Sequence, residues 1–585
     1  MRTAIVTLAN VAEPVVRRLQ AALPDARVYG RVNRVQHCDE HFELASLLLP
    51  QLYRAGVRIV AVCSSGIVMR CLGPILADKH LEPPVLAVAS NGSSVVPLIG
   101  GHRGANALAR DLAVALDAHA AVTTAADVTL GVALDEPLPG YCLVTPEHYP
   151  NAVSRLLAGA TLRHDSDLPP VVGDAGATLP RDGGEIGITV SADDLPSQRG
   201  ELHYTPLKHV LGVGCERGCS ASELQALVTR SLAEQGISSA SIAAVVSLDL
   251  KSDEPAVQAL AEALKVPARF FDREALAAQA DRLANPSEIV RAEVGVPGVA
   301  EAAALAAVGD DGVLVMEKRK SARATCALAA RREGVFESVS FGRARGAVHL
   351  IGTGPGQIDW RLPAVEQVLA DCTDLVAYSY YIDLLGPAAS GKTVHSFALG
   401  EEEKRARVAL ELAAEGKHVG LICSGDPGIY AMGALVFELV ERGGVDAWSR
   451  VEIVTTPGIT ALQAASAKSG AAIGHDFCAI SLSDLLTPWD VIEKRLHAAA
   501  QGDFVVAFYN PVSKRRDWQL PKAREILLQA RPESTPVVIA RQLGRDEESI
   551  VVSMFEIEDY DRGQPYGSDT DSDYDQDEDR FHIHQ

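Results

Sequence analysis

The chain has 585 residues, 47% apolar, 5% aromatic and 22% charged, with a net charge of −22. At about 150 residues per domain this makes roughly four domains, and the composition excludes a collagen-like, disulfide-scaffold or wholly disordered chain. Eleven acids and two arginines lie between Glu556 and Arg580, which leaves −13 for the rest and no broad basic face, so nucleic acid is not an expected partner.

Apolar runs such as Ile59–Cys63 are too short to cross a bilayer, so no membrane partner is expected. The N-terminus, Met1-Arg-Thr-Ala-Ile-Val-Thr-Leu, reads as a first strand, not a signal peptide. Ten cysteines are scattered, and only Cys215 and Cys219 stand close. That usage fits a reduced, cytoplasmic protein, and with sixteen dispersed histidines no metal site is expected.

In chain order, residues 1–131 alternate strands (Ala4–Thr7, Val57–Val62, Val85–Val88) with helices (Glu13–Ala22, Asn106–Ala115), the pattern of a parallel α/β domain. Residues 132–205 are rich in Pro and Gly and read as a small irregular or α+β insert. A second α/β domain spans 206–330. Its strand at Val210 runs into a Gly turn, and the helix Ser220–Leu232 carries a capping box of Ser220 and Glu223. A strand Ala243–Leu248 and a helix Ala256–Leu264 follow. Residues 331–345 are polar and Arg-rich and read as a linker.

The domain at 346–555 holds strands at Val348, Leu375–Tyr378, Val419–Cys423, Val451–Val454, Phe504–Phe508 and Pro536–Ala540, with a helix at Ala364–Ala370 and further helices between the later strands. Residues 556–585 form an acidic tail expected to be disordered. The fold class is therefore multidomain α/β: two α/β units and a small insert, then a further α/β module.

Three Gly-rich turns follow strands in that module: Gly352-Thr-Gly-Pro-Gly356, Ser424-Gly-Asp-Pro-Gly428 and Thr456-Pro-Gly-Ile-Thr-Ala461. Each places small residues at a strand's carboxyl end, where an open α/β sheet leaves a crevice for a ligand. Asp426 offers a buried acceptor suited to an amine or a ribose hydroxyl. The G-x-G-x-x-G spacing is absent, which disfavours a dinucleotide.

These turns, with Phe508-Tyr-Asn-Pro511, resemble the tetrapyrrole methylase family over about Val348–Val552. Tyr378-Ser-Tyr-Tyr-Ile, Glu401-Glu-Glu-Lys-Arg and Ala540-Arg-Gln-Leu-Gly-Arg look most like its precorrin-3B C17-methyltransferases. The resemblance implies a two-lobed α/β fold with S-adenosylmethionine between the lobes. Pro355 would lie beneath the substrate trough. Ser424, Gly425, Asp426 and Ile429 would line the cofactor, Thr460 and Ala461 would touch it from the third turn, and Asn510 would lie near the adenosyl group. It also implies a tetrapyrrole (precorrin or cobalt-precorrin) substrate and a homodimer. Lys514, Arg515 and Arg516 are candidates for the substrate's carboxylates, the alternative being a solvated loop. The family usually ends on one more strand after Val551-Val; here the acidic tail follows, and that strand is expected to be missing or replaced.

The amino-terminal two-thirds hold three constellations: Cys63-Ser-Ser-Gly-Ile-Val-Met-Arg70 leading into Gly73–Lys79, Pro97–Asn106 around His102, and Gly212–Ser220 followed by Asp249-Leu-Lys-Ser-Asp-Glu254. His102 is a candidate general base or carboxylate binder, or a hydrogen-bonded turn histidine. Ser64, Ser65 and Gly66 can present amides to an anion. Ser65 lacks a nucleophile elbow, and Cys215 reads better as a small buried residue. Lys251, Asp253 and Glu254 form a mixed charge cluster after a strand, facing the same end as Gly212–Gly218, or else an ordinary surface loop.

Together with Asn285-Pro-Ser-Glu and Val299-Ala-Glu-Ala-Ala-Ala, these patterns resemble the cobalt-precorrin-5A hydrolase family over residues 1 to about 330. The catalytic candidates are His102, Lys251, Asp253 and Glu254. The resemblance implies opening of the ring-A lactone with release of acetaldehyde. The whole chain then reads as a bifunctional cobalamin (vitamin B12) biosynthesis enzyme. The alternative is a methyltransferase fused to a non-catalytic corrinoid-intermediate-binding module.

Overall fold

The computed structural model describes residues 2–76, 82–124, 134–135, 139–164, 184–195, 201–513, 517–545, 547–554 and 580–584, the last five, His102 and His164 by backbone alone. The chain divides into two compact units, residues 1–346 and 347–585, with the short stretches Ala414–Gly416 and Arg450–Glu452 grouped with the first.

The amino-terminal sheet holds β1 (Thr3–Thr7), β2 (Arg27–Arg31), β3 (Glu40–Phe42), β4 (Arg58–Val62), β5 (Val85–Val88), β6 (Ser94–Ile99) and β7 (His119–Ala120), in the order β3-β2-β1-β4-β5-β6-β7. The strands β1 to β5 run parallel, and β6 turns antiparallel to β5. Alternate residues of each central strand face opposite layers. Ile5, Val60 and Val62 pack with the helices Glu13–Ala22 and Ala105–Leu116. Val6, Ile59 and Ala61 pack with Ala45–Arg54 and Ser65–Leu72. Burial on both faces is why these strands read as unbroken apolar runs.

The middle region is ordered where it is described. The strands β8 (Tyr141–Leu143), β9 (Leu162–His164), β10 (Ile186–Val190) and β11 (Leu202–Pro206) form a sheet in the order β8-β11-β10-β9. It packs Ile186, Ile188, Leu202 and Tyr204 against Ala152 and Leu156 of the helix Tyr149–Leu157. Of the two readings of 132–205, the described residues fit the α+β one and not the irregular one; each strand is only three to five residues long, too short to show a period.

The next sheet holds β12 (His209–Cys215), β13 (Ile242–Leu248), β14 (Ala268–Phe271), β15 (Gly312–Lys320) and β16 (Ala324–Arg331), in the order β14-β13-β12-β16-β15. The Ala-rich helix Ala300–Val308 lies directly on β12. A Cβ on Gly212 would sit 1.9 Å from the Ala300 carbonyl oxygen, so this close approach demands glycine. Residues 331–345 are not a free linker. Phe336 is buried, and its amide donates to the Leu207 carbonyl at 2.7 Å. Arg343 and Phe270 exchange two backbone bonds of 2.8 Å. The phenylalanines in a polar stretch are what dock it.

The carboxy-terminal unit has two sheets. The first holds β17 (Ala347–Gly352), β18 (Asp374–Tyr378), β19 (Thr393–Phe397), β20 (His418–Cys423) and β21 (Glu452–Thr456), in the order β19-β18-β20-β17-β21. The second holds β22 (Phe477–Ser481), β23 (Val505–Tyr509), β24 (Pro536–Arg541), β25 (Ser549–Met554) and β26 (Arg580–His584), in the order β22-β23-β26-β24-β25. The closing strand, expected to be missing or replaced, is present: β26 inserts antiparallel between β23 and β24. The disordered-tail expectation fails for these five residues, because Phe581-His-Ile-His584 alternates at the strand period. The rest of the tail, 555–579, lies outside the described residues.

A chain ending at Asp579 loses the shared neighbour of β23 and β24. Each lost backbone bond contributes about 1 kcal/mol, and each kcal/mol moves the melting temperature of a domain this size by about 2–4 °C. Scanning calorimetry is expected to show the carboxy-terminal unit melting several degrees lower; an unchanged scan contradicts the pairing.

Candidate functional site

The first site forms where β20, β17 and β21 end side by side. Gly354 and Gly425 exchange two backbone bonds, Gly354 N–H to Gly425 O at 3.2 Å and the reverse at 2.9 Å. Both are left-handed, with φ of +76° and +65°. A Cβ on Gly352 would lie 2.6 Å from both the Gly425 oxygen and the Gly458 nitrogen, and one on Gly458 would lie 2.0 Å from the Gly425 oxygen. The three turns thus touch backbone to backbone, leaving a floor of small residues at the carboxyl ends of the strands.

Asp426 ties the floor together. Its Oδ1 accepts from the Gly428 amide at 2.8 Å and its Oδ2 from the Gly458 amide at 3.1 Å. It is half-buried. The expectation of a buried acceptor kept for a ligand is corrected: both oxygens are already engaged by backbone, and only their remaining lone pairs are left for an amine or hydroxyl.

Ser424, Ile429, Pro355, Thr460 and Ala461 belong to the three turns, and Asn510 to the end of β23 in the second sheet. Ser424 and Ile429 flank Asp426 in the second turn, half-buried and 37% exposed respectively. Pro355 is buried, and its carbonyl accepts from Arg545 Nε at 3.3 Å. Thr460 is buried immediately before the helix Ala461–Ser469, which Ala461 opens. Asn510 follows β23 with φ +50°, and its amide donates to Ser481 Oγ at 3.3 Å. Lys514, Arg515 and Arg516 lie outside the described residues. Tyr509 stands within a quoted motif without a role, and Tyr430 two residues beyond the second turn; their rings pack at 4.8 Å between centroids.

The second site lies at the carboxyl ends of β12 and β13. The turn after β12 and the cluster after β13 meet: Arg217 donates to Asp253 Oδ1 at 2.7 Å and to the Leu250 carbonyl at 3.1 Å. The Gly218 amide donates to Glu254 Oε1 at 3.0 Å, and Glu254 is fully buried, with Oε2 lying 3.5 Å from Arg217. Lys251 is half-buried beside them. Arg323 clamps the turn, donating to Glu216 Oε2 and to the carbonyls of Gly218 and Arg217.

Burial pushes the Cys215 thiol up to about 11, against the opposing pull of Lys251. A thiol raised in this way is disfavoured as a nucleophile. The capping box is half made: Ser220 Oγ accepts from the Glu223 amide at 3.2 Å, but the Glu223 carboxylate accepts from Ser321 and the Arg323 amide instead. His102 sits in a single 3-10 turn, Gly101–Arg103, between left-handed Gly100 and Gly104; its side chain lies outside the described residues. Ser64 precedes the helix Ser65–Leu72 without a side-chain capping bond, and Gly66 lies in its first turn. Burial raises Cys63 to about 11.

Two further motifs also meet. Glu301, 2% exposed on the Ala-rich helix, accepts from the Asn285 amide and side chain at 3.0 Å each and from the Lys318 amide at 2.8 Å. Burial alone would raise this carboxyl, but the three hydrogen bonds outweigh it and hold it below its usual range.

The described residues contain no group of three or more candidate metal ligands and no helix long and apolar enough to cross a membrane. The tetrapyrrole (corrin/porphyrin) methylase family matches residues 347–557. The chain belongs to this family. The precorrin-3B C(17)-methyltransferase of a Sinorhizobium species is 45% identical over 207 residues, 35% of this chain and 81% of that protein.

Cobalamin biosynthesis protein CobIJ of Mycobacterium tuberculosis is 42% identical over 217 residues, 36% of this chain; the chain spans only 42% of that relative's length. A crystal structure of the methyltransferase CobJ is 38% identical and covers 41% of this chain and 93% of its own, with a TM-score of 0.36. The cobalamin synthesis G N-terminal and C-terminal families match residues 48–127 and 209–329.

Two outcomes are expected. Asp426→Ala frees the Gly428 and Gly458 amides, at a cost of about 1–3 kcal/mol, and is expected to abolish calorimetric binding of S-adenosylhomocysteine; retained affinity contradicts the anchor role. Glu301 has a folded pKa below its unfolded value of about 4.3, so its stabilisation is present above that pH and is lost as pH falls through the folded value. Wild type is therefore expected to melt above Glu301→Gln at pH 7, with the gap closing in acid below pH ~4. A gap independent of pH contradicts this.

Proposed function

We propose that the chain is a bifunctional enzyme of cobalamin biosynthesis. The carboxy-terminal unit methylates C17 of precorrin-3B, or its cobalt-bearing counterpart, with ring contraction. The amino-terminal unit opens the ring-A lactone of cobalt-precorrin-5A and releases acetaldehyde. The observation that carries the first half is the meeting of three Gly turns at Gly352, Gly425 and Gly458. Small residues, backbone polar groups and the flanking Ile429 and Ala461 fit an adenosyl sulfonium, which needs close backbone approach more than counter-charge.

S-adenosylmethionine supplies an already activated methyl group when bound, so the protein need not provide a strong acid. What remains for the chain is binding and orientation. Gly425, Ser424 and Asp426 form one wall, Thr460 and Ala461 a second, and Asn510 reaches in from the second sheet. Their task is to hold the methyl carbon in line with a ring carbon of the tetrapyrrole and to exclude water. Pro355, held by Arg545, shapes the floor below the substrate.

In the amino-terminal unit Lys251 is the candidate for a substrate carboxylate, with Asp253 and Glu254 setting its turn and His102 the candidate base. The fused partner is read as non-catalytic if these groups only bind. Cys215, half-buried and with its thiol pushed up to about 11 by burial, speaks against thiol catalysis. A homodimer through the methylase unit and a cytoplasmic location complete the proposal.

The test incubates the full chain with isotope-labelled S-adenosylmethionine and the trimethylated precursor, with and without cobalt. Product analysis by mass spectrometry and NMR is expected to find label at C17; label at another ring carbon contradicts the assignment. Acetaldehyde release from cobalt-precorrin-5A is expected in a parallel assay, and its absence favours the binding module.

A further inference from the structure

Tyr430 follows Ile429 in the second Gly turn, and its backbone is left-handed, with φ +49°. A non-glycine residue there costs about 1 kcal/mol or more and persists only where its surroundings hold it. What holds it lies in the other lobe. The Tyr430 hydroxyl donates to the Ala479 carbonyl of β22 at 2.8 Å, and the Ser481 amide donates to the phenol oxygen. β22 is the edge strand of the second sheet. The phenol therefore occupies edge groups that an edge strand otherwise leaves unpaired.

The Tyr430 ring packs against Tyr509, 4.8 Å between centroids and tilted by 48°. Tyr509 is buried at the end of β23, and its hydroxyl bonds to the Thr460 side chain and to the Leu462 amide. Thr460 and Leu462 lie where the chain leaves β21 for the second lobe. One line of contacts thus runs from the second Gly turn, through two phenols, to the edge strand and back to the third turn. Its members adjoin the proposed cofactor residues: Ile429 precedes Tyr430, Asn510 follows Tyr509, and Thr460 is itself a partner.

We propose that Tyr430 is a positioning residue which, anchored on Tyr509, sets the gap between the two lobes in which the cofactor is held. This rests on the methylase reading above. The clasp acts through spacing alone: it holds Ile429 and Asn510 at fixed separation and takes no part in proton or methyl transfer.

The test uses the full chain with Tyr430→Phe, which keeps the ring and removes the hydroxyl. Calorimetric titration with S-adenosylhomocysteine is expected to show affinity reduced about tenfold, the effect of roughly one hydrogen bond. Tyr509→Phe is expected to weaken binding in the same direction, and the double variant to lose less than the product of the two effects because they share one line of contacts. A thermal scan of each variant identifies those that fold, and Tyr509→Phe serves if Tyr430→Phe does not. Wild-type affinity in a folded variant that only melts lower means a purely structural hydroxyl and overturns the clasp. If wild type itself fails to bind, the methylase reading falls, and the clasp with it.

Discussion

The carboxy-terminal unit is organised by a steric constraint: three strand ends must meet without side chains between them. β17 lies between β20 and β21, so their turns leave the sheet as neighbours. Gly352, Gly425 and Gly458 then approach within distances that no Cβ tolerates. That approach brings the Gly458 amide within reach of Asp426, which closes the second turn on itself and onto the third. The first consequence is a shallow floor where a ligand can reach backbone. A further one is that Thr460 and Ala461 are delivered to the rim as the chain crosses to the second sheet.

The amino-terminal unit solves a similar placement problem with charge. The turn after β12 is held by ion pairs and side-chain bonds: Arg217 to Asp253, Gly218 to Glu254, and Arg323 across the turn. Glycine still matters, but for the packing of the helix Ala300–Val308 on Gly212. Polar networks of this kind are strongly coupled, so the loss of one member is felt by the others.

The buried central strands were legible in the sequence because both faces are covered: β1, β4, β12, β13, β17 and β20 read as apolar runs within a residue or two of their observed bounds. Short strands such as β3, β7 and β9 were not, since two or three residues hold no period. The Gly turns were legible as turns, and the resemblance made them a site. What stayed hidden needed tertiary partners. Asp426 looked free until Gly428 and Gly458 claimed its oxygens. Glu223 promised a reciprocal cap, but Ser321 and Arg323 compete for it across about a hundred residues. Phe581–His584 was overlooked because an acidic tract precedes it, and its partners in β23 and β24 lie far back in the chain.

The central claim is that the converging Gly turns form the cofactor floor of a methylase. Co-crystallisation of the full chain with S-adenosylhomocysteine tests it most directly. The account predicts the ligand against Gly425, Ser424 and Thr460, with Asn510 approaching from the second sheet. Ligand bound elsewhere, with Gly352, Gly425 and Gly458 untouched, would contradict it.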